Sequence, residues 1–387
     1  MMKALVLDVK RQEWDRTTGL ASADVATPEL DESKRPEDAN KVIVKPRYAG
    51  FCGSDKSIWF RHAFKDLIFD SLESNGSPYR ICGHELLGEV VDAGSISSKV
   101  FGYKPGDIVS AESHVFCGRC HQCRIGDAHV CANHLIMGIS MDGCFAEYVK
   151  LPAKELWKTD ITRIRPEVAA IQEPLGNAVH ACSRVDLRGK TLAVFGCGSI
   201  GLLTILAARA MGAAYIVGVD PNAANLKIAE DLEVDQTLQT SRGKEGVPSH
   251  SLDRAVAEEI RRSCFGEGVD VAMEMSGSNQ ALNTAIAATR AGGDIILFGL
   301  GAGDYVIENF QEIILRGKTL HSVVGRKVFQ TWFIVNNLLQ SKSCRLQEKI
   351  YDVILNRGQG TVVPFLQFEK QAFERAIQER PKIILKY

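Results

Sequence analysis

The chain has 387 residues, with 46 Lys and Arg against 47 Asp and Glu, and it is 45% apolar and 24% charged. This composition is ordinary for a globular protein and excludes a largely disordered chain. A net charge of −1 excludes a broadly cationic surface, so nucleic acid is not expected as a partner. At roughly 100–200 residues per domain, the length predicts two or three domains.

The amino terminus, MMKALVLDVK, carries a charge at its third residue and lacks the apolar core of a signal peptide. We therefore expect a cytoplasmic protein, in which thiols stay reduced. Eleven cysteines in a reducing compartment point to metal rather than to a disulfide framework.

The first third of the chain contains short β-like runs separated by Gly, Pro and Asp, and this pattern predicts a mostly antiparallel β domain. These runs include Lys41–Arg47, Leu87–Val91 and Phe145–Leu151. From Thr191 onward, strand-like and helical runs alternate, which predicts a doubly wound parallel sheet covered on both faces. The strand-like runs are Thr191–Phe195, Tyr215–Val219, Val269–Met275 and Ile295–Phe298, and the helical runs are Ser199–Met211, Asn222–Leu232, Leu252–Cys264 and Gln280–Arg290.

The segment Thr191–Ala208 is uncharged over 18 residues, but its glycines divide it into a strand, a turn and a buried helix. No transmembrane segment and no membrane partner are therefore expected. The last sixty residues predict helices and a closing strand, and periodicity leaves open which domain they complete. These elements are Gln330–Gln340, Glu348–Leu355, Glu369–Glu379 and the strand Lys382–Lys386.

Cys117, Cys120, Cys123 and Cys131 follow the spacing C-x2-C-x2-C-x7-C. Four thiolates in one polar loop suit a tetrahedral structural zinc site. An iron–sulfur cluster is the alternative, since its motifs use similar spacings. Zinc is favoured because the neighbouring residues are polar and a second zinc pattern exists elsewhere in the chain.

The second pattern combines Cys52, in GFCGSD, with His84 and Glu85, in CGHELLGE. A thiolate, an imidazole and a carboxylate are the ligand types of catalytic zinc. Glu173 lies in the apolar helical run AAIQEPLGNAVH, where an unpaired carboxylate is costly to bury. Zinc would supply the cation that Glu173 needs.

Gly196, Gly198 and Gly201 form G-x-G-x-x-G between an apolar strand and a helix, and Asp220 ends the next strand. This context predicts a dinucleotide site, because the glycines admit the pyrophosphate to the helix amino terminus. Asp220 would accept hydrogen bonds from the adenosine ribose and repel a 2′-phosphate, which favours NAD over NADP.

In order, these motifs resemble the zinc-containing medium-chain alcohol dehydrogenase family, and within it the threonine dehydrogenase branch. Stretches common to that branch and to polyol dehydrogenases are ESHVFCGRCHQC, GCFAEY and EPLGNAVH, and the more specific ones are EMSG and GRKVFQTW. The resemblance implies a GroES-like catalytic domain, split between residues 1–179 and 325–387, around an inserted NAD-binding Rossmann domain at residues 180–324.

The resemblance also implies the roles of site residues. Cys52, His84 and Glu173 would bind catalytic zinc, with Glu85 a fourth or alternating ligand. Ser54 would pass on the alcohol proton, and His114 would lie near the substrate. The cofactor loop would comprise Gly196, Gly198, Ser199, Ile200 and Gly201, followed by Asp220 and Asn225.

Three departures from the family pattern concern the proton path, the cofactor and the substrate. Ser57 stands where the family usually has a histidine that ends the proton relay, with His62 as a nearby substitute. Asn225 stands where a Lys or Arg often lies beside the adenine ribose. The stretch between Cys52 and His84 is longer than in typical threonine dehydrogenases, and we expect its content, Trp59–Ser77, to lie close to the substrate cleft.

Together with this resemblance, the motifs predict oxidation of a secondary alcohol with NAD and two zinc ions per chain, and the resemblance implies that L-threonine is converted to 2-amino-3-oxobutanoate. A polyol, sorbitol or butanediol dehydrogenase is the alternative within the family, and a non-catalytic NAD-binding zinc protein is the alternative outside it. The resemblance further implies a homo-oligomer, a tetramer.

Overall fold

The computed structural model describes residues 1–241, 248–301 and 303–387, which form two compact units. The first unit comprises Met1–Pro174, Lys327–Gln340 and Leu355–Tyr387, and the second comprises Leu175–Arg326 and Ser341–Ile354. Each unit is therefore discontinuous in sequence. The limits 1–179, 180–324 and 325–387 stay a prediction of the domain organisation.

The elements are numbered in chain order. The strands are β1 (Met2–Asp8), β2 (Ala21–Val25), β3 (Lys41–Phe51), β4 (Tyr79–Ile81), β5 (Glu85–Ala93), β6 (Ile108–Ala111), β7 (His114–Val115), β8 (Leu135–Ile136), β9 (Val149–Pro152), β10 (Leu156–Lys158), β11 (Thr191–Phe195), β12 (Tyr215–Asp220), β13 (Gln236–Gln239), β14 (Val269–Glu274), β15 (Thr289–Leu297), β16 (Thr319–Ser322), β17 (Val362–Pro364) and β18 (Ile383–Lys386). The α-helices are α1 (Gly53–Trp59), α2 (Lys65–Asn75), α3 (Ser95–Val100), α4 (His121–Arg124), α5 (Pro166–Ala169), α6 (Gln172–Cys182), α7 (Ser199–Ala210), α8 (Ala223–Asp231), α9 (Arg254–Ser263), α10 (Asn279–Ala288), α11 (Phe310–Leu315), α12 (Gln330–Gln340), α13 (Leu346–Lys349) and α14 (Lys370–Glu379).

The main sheet of the first unit has the strand order β10-β6-β5-β3-β18-β17, with β9 also paired to β3. Its pairs are antiparallel except β17 with β18. Strand β18 lies beside β3 with Ile383 opposite Phe51. This register brings the carboxyl-terminal strand next to the end of β3, directly before Cys52.

Aromatic side chains fill the core behind this junction. Phe51 contacts Phe373 edge-on, with ring centroids 5.0 Å apart, and stacks on Phe145 at 5.9 Å. Trp59, at the end of α1, is fully buried and packs against Phe373 and Phe368. Each such pair adds about 0.5–1.5 kcal/mol beyond the area it buries, so the core fixes the position of α1.

The second unit contains a parallel sheet with the order β13-β12-β11-β14-β15-β16. Its pairing confirms the predicted doubly wound sheet, and Leu192 to Phe195 of β11 are buried as expected for a strand covered on both faces. Phe195 pairs with Val219 and with Glu274, so the carboxyl ends of β11, β12 and β14 lie at one edge. Ligands of open α/β sheets bind at this edge.

Several predicted elements have different limits in the structure, and three examples show the reasons. The predicted strand Phe145–Leu151 begins only at Val149, because Phe145 and Ala146 bond to β1 instead. The helix predicted to end at Arg290 ends at Ala288, since Thr289 already pairs with Val269. The predicted helix Glu348–Leu355 is α13 followed by a π-helical turn at Ile350–Ile354.

None of the described helices is both long enough and apolar enough to cross a bilayer.

Candidate metal and dinucleotide sites

The four cysteines of the polar loop lie together in the first unit. The sulfur atoms of Cys117, Cys120, Cys123 and Cys131 are all within 4.8 Å of one another. The Cys120 and Cys131 sulfurs are 3.8 Å apart, close to the separation of about 3.8 Å that tetrahedral geometry gives for Zn–S bonds of 2.3 Å. The donor set therefore fits zinc.

Backbone amides prepare this loop for thiolate. The N–H groups of Arg119 and Cys120 donate to the Cys117 sulfur over 3.5 and 3.3 Å and lower the pKa of Cys117 to about 6. Thiolate is the form that binds a metal. The fold thus favours the thiolate form of Cys117, whereas burial raises the pKa of Cys123 to about 12.

A second cluster gathers Cys52, His84 and Glu85, whose ligand atoms also lie within 4.8 Å of one another. Cys52 is the N-cap of α1, and its backbone N–H donates to the Asp55 carboxylate at 2.9 Å. Glu85 begins β5, and its carboxylate passes so close to Gly50 that a Cβ there would lie 1.7 Å from Oε2. Glycine at position 50 therefore makes room for Glu85.

Both ring nitrogens of His84 face a polar side chain. Its Nδ1 lies 3.5 Å from the Asp55 carboxylate, and its Nε2 lies 3.2 Å from the Ser54 hydroxyl. Burial lowers the pKa of His84, but the Asp55 carboxylate and the Cys52 sulfur outweigh it and hold the pKa well above its usual value. A carboxylate behind an imidazole orients the opposite nitrogen toward a metal.

Glu85 has a partner that the sequence did not reveal. Lys382 donates to both oxygens of the Glu85 carboxylate, at 2.5 Å to Oε1, and to the Phe51 carbonyl at 3.3 Å. Both side chains of the pair are fully buried. Burial raises the pKa of Glu85, and the Lys382 ammonium offsets part of that effect.

Glu173 lies at the start of α6, where it is 3% exposed. The Ser113 hydroxyl donates to its Oε1 at 2.6 Å. The same hydroxyl is 3.2 Å from Nδ1 of His114, so Ser113 links the predicted ligand Glu173 to the predicted substrate residue His114. The negative charge of Glu173 also raises the pKa of Glu85, which places the two carboxylates in one electrostatic environment.

The residues that depart from the family pattern have local roles. The Ser57 hydroxyl donates to the Gly53 carbonyl at 3.1 Å, one turn earlier in α1. The His62 ring stacks on Phe60 with centroids 6.0 Å apart. In the segment after Trp59, Arg61 donates to the Gly19 carbonyl and lies over the Trp14 ring.

The glycine motif of the second unit forms a tight turn between β11 and α7. Gly196 has φ of +97°, and its N–H donates to the Val219 carbonyl at 2.7 Å. A Cβ on Gly201 would lie 1.7 Å from the Gly196 carbonyl oxygen, whereas a Cβ on Gly198 would meet open space. Ser199 and Ile200 form the first turn of α7, whose amino terminus suits a pyrophosphate.

Asp220 ends β12 and is 6% exposed. Its carboxylate accepts the backbone N–H groups of Cys197 and Asn222, each at 2.7 Å, and the Asn225 amide at 3.4 Å. A cavity of about 290 Å³ adjoins this edge of the sheet, lined in part by Phe195, Gly196, Val219, Pro221, Thr240 and Ser276. The geometry fits the adenosine half of a dinucleotide.

Sequence reasoning missed several residues that shape these sites: Gly50, Asp55, Glu112, Ser113 and Lys382. Asp55 carried a local signal, since a carboxylate three residues after an N-cap suggests a capping box. Lys382 carried none, because 297 residues separate it from Glu85.

Two family profiles match the chain: "Alcohol dehydrogenase GroES-like domain" over residues 38–161 and "Zinc-binding dehydrogenase" over residues 199–341. An L-threonine 3-dehydrogenase of Bacillus licheniformis is 36% identical over 335 residues, covering 86% of this chain and 87% of the relative. An L-threonine 3-dehydrogenase of Bacillus subtilis is 35% identical over 345 residues, covering 88% of each chain. The chain belongs to the zinc-containing alcohol dehydrogenase family. This confirms the resemblance, the enzyme class and the GroES-like and Rossmann fold class.

Solved structures of other dehydrogenases share the fold of this chain. The 2R,3R-butanediol dehydrogenase of Bacillus subtilis superposes with a TM-score of 0.78 at 24% identity, covering 100% of both chains. A zinc-binding dehydrogenase of Sinorhizobium meliloti bound to NADP gives 0.75 at 24% identity, and an Escherichia coli dehydrogenase complexed with NADH gives 0.74 at 21%. Each of these two covers 100% of this chain and 99% of its own.

Proposed function

We propose that this dehydrogenase oxidises a secondary alcohol by hydride transfer to NAD, with L-threonine as the substrate and 2-amino-3-oxobutanoate as the product. The cluster of Cys52, His84 and Glu85 carries the proposal, because it unites the ligand types of catalytic zinc, with His84 and Glu85 buried and Cys52 partly exposed. The names of the curated relatives support threonine. Zinc, when bound, supplies a Lewis acid that lowers the pKa of the alcohol.

The proposed ligands of catalytic zinc are Cys52, His84 and Glu173, with Glu85 as the fourth or alternating ligand. Lys382 already neutralises the Glu85 carboxylate, and this supports Glu173 as the third regular ligand. Cys117, Cys120, Cys123 and Cys131 would hold a structural zinc, which gives two ions per chain.

Ser54 is proposed to receive the alcohol proton, because its hydroxyl is hydrogen-bonded at the edge of the cluster, 3.2 Å from His84. A serine acts here as a relay, since it has no useful basicity of its own. Ser57 is engaged with the Gly53 carbonyl, so the onward path differs from that of the usual family histidine.

NAD is proposed over NADP because Asp220 places a carboxylate at the end of β12, where a 2′-phosphate would be repelled. The proposed cofactor residues are Gly196, Gly198, Ser199, Ile200, Gly201, Asp220 and Asn225. We further propose a cytoplasmic homotetramer. Large exposed apolar side chains of α11, which directly precedes the edge strand β16 in the chain, support self-association, among them Phe310, Ile314 and Leu315.

The test offers L-threonine, sorbitol, 2,3-butanediol and glucose to the zinc-loaded protein with NAD or NADP. Reduction of NAD with threonine alone is the expected result, and activity on polyols without threonine would move the enzyme to the alternative branch. If a broad alcohol panel reduces neither cofactor, the enzymatic proposal is wrong. The zinc content of the purified protein distinguishes the two alternatives. Two ions per chain would support the proposal, and one ion per chain would support the non-catalytic NAD-binding protein.

The variant Cys52→Ala is expected to abolish turnover while NAD binds as before, because Cys52 belongs to the first unit and the cofactor loop to the second. Calorimetric titration with NAD checks this. Loss of NAD binding with an unchanged fold would contradict the assigned roles.

A further inference from the structure

Three consecutive residues of the first unit, Glu112, Ser113 and His114, contact one another through their side chains and backbone. Ser113 bonds to Glu173, as described above, and His114 is the residue expected near the substrate. Glu112 has no role in the proposed function. Its side chain is nevertheless completely buried, and a buried carboxylate is costly unless its oxygens accept hydrogen bonds.

The two oxygens of Glu112 accept from two different elements. Oε1 accepts the backbone N–H of His114 at 3.0 Å, and Oε2 accepts the indole N–H of Trp332 at 2.9 Å. Trp332 belongs to α12 and is 1% exposed. Glu112 therefore links His114, at the start of β7, to Trp332, which is buried in the core.

The same carboxylate also faces the His114 ring. Oε1 of Glu112 lies 3.4 Å from Nδ1 of His114, and the Ser113 hydroxyl oxygen lies 3.2 Å from it. Ser113 gives its only proton to Glu173 at 2.6 Å, so its oxygen acts as an acceptor toward His114. Two acceptors at Nδ1 require a proton there, which makes Nε2 the acceptor nitrogen of the neutral ring.

We propose that Glu112 is a positioning residue that holds the His114 ring in the Nδ1–H tautomer and thereby presents Nε2 as a hydrogen-bond acceptor to the substrate. A substrate with a donor beside the reacting alcohol, such as an ammonium group, matches this acceptor. The inference rests on the proposed alcohol oxidation and on the place near the substrate that the family resemblance implies for His114.

The variants are chosen to separate positioning from folding. Glu112→Gln keeps the shape of the side chain, but its amide has one oxygen and cannot accept from both His114 and Trp332. Asp38→Asn is the matched control, since Asp38 is another fully buried carboxylate of the first unit, bonded to Arg35 and Lys150.

The kinetic test is a double-mutant cycle on the zinc-loaded enzyme. Glu112→Gln is expected to lower kcat/KM for L-threonine by about 10- to 100-fold, in the range of a lost hydrogen bond to a charged group, mainly through KM. In a His114→Gln background the same change should have no further effect. Asp38→Asn should leave kcat/KM as in the wild type. Equal losses from Glu112→Gln with and without His114 would overturn the proposal.

A second measurement does not depend on turnover. Solid-state NMR of protein labelled with 15N at histidine Nδ1, with His114→Gln to assign the signal, reports the tautomer directly. The His114 nitrogen should be protonated in the wild type and in Asp38→Asn, and partly deprotonated in Glu112→Gln. An unchanged signal in Glu112→Gln would refute the inference even if no alcohol were oxidised. A substrate other than threonine would alter the proposed function alone, and the cycle would then use that alcohol.

Discussion

At the scale of single residues, the ion pair between Glu85 and Lys382 allows the first unit to bury both of these charges. Two fully buried ions of opposite sign compensate each other, but removal of one leaves the other without compensation in a poorly polarisable core. The cost of losing Lys382 is therefore larger than the net stabilisation that the intact pair provides.

The variant Lys382→Met is expected to lower the free energy of unfolding by about 3–5 kcal/mol, the usual cost of breaking a buried ion pair from one side. Urea denaturation followed by circular dichroism measures it. The double variant Glu85→Gln with Lys382→Met should recover much of the loss, because neither charge of the pair remains. A loss in the double variant as large as in Lys382→Met would show that packing, rather than charge, stabilises this position.

Individual site residues differed in how far the sequence could predict them. Cys117, Cys120, Cys123 and Cys131 share one loop, so their spacing alone indicates their association. Cys52 and His84 were candidates from their ligand chemistry, but 31 intervening residues, 53–83, separate them, and only the fold shows that they lie together. Glu112 and Lys382 depend on contacts with Trp332 and Glu85, which lie more than 200 residues away, and no periodicity encodes such contacts.

At the scale of elements, the turn between β11 and α7 uses its glycines for different purposes. Gly201 is needed by the fold itself, since a Cβ there collides with the Gly196 carbonyl. Gly198 has open space around its Cβ position, so its lack of a side chain serves a ligand that approaches the backbone.

Two alanine variants should separate these purposes. Gly198→Ala is expected to leave the unfolding free energy within about 1 kcal/mol of the wild type while weakening NAD binding at least about tenfold. Gly201→Ala should lower both, with a stability loss of about 1–3 kcal/mol typical of overpacking. Thermal unfolding and NAD titration of each variant check this, and equal stability losses in the two variants would contradict it.

Elements with strong local signals were predicted well. The limits of β11 and α12 agree with the predicted ones, because an apolar run with clear boundaries specifies each of them. The start of β15 was missed because Thr289 is extended through its pairing with Val269. Pairing between strands that are distant in sequence decides such limits, and residue preferences do not.

At the scale of the whole molecule, the proposed zinc ions and the proposed NAD bind to different units. The proposed metal ligands lie in residues 1–174, and the dinucleotide residues lie in 175–326. Each unit has its own core, one gathered around Phe51 and Trp59 and the other around Phe195 and Val217. Each ligand should therefore stabilise its own unit most strongly.

Hydrogen exchange measured by mass spectrometry tests this division. Removal of zinc with a chelator is expected to speed exchange in residues 117–131 and in β3 and β5, with smaller changes in β11 to β14. NAD at 100 times its Kd should stabilise the second unit by about 2.7 kcal/mol and slow exchange in β11, β12 and α7. Equal protection of both units by either ligand would show that they unfold together.

The pairing of β18 with β3 also has a consequence for synthesis on the ribosome. All residues of the second unit have been translated once Ile354 is made, whereas the main sheet of the first unit lacks β18 until Lys386 has been added. The unit that begins first in the chain is thus the last to be completed. The second unit can therefore begin to fold while β18, the strand that follows Lys382, is still inside the exit tunnel of the ribosome.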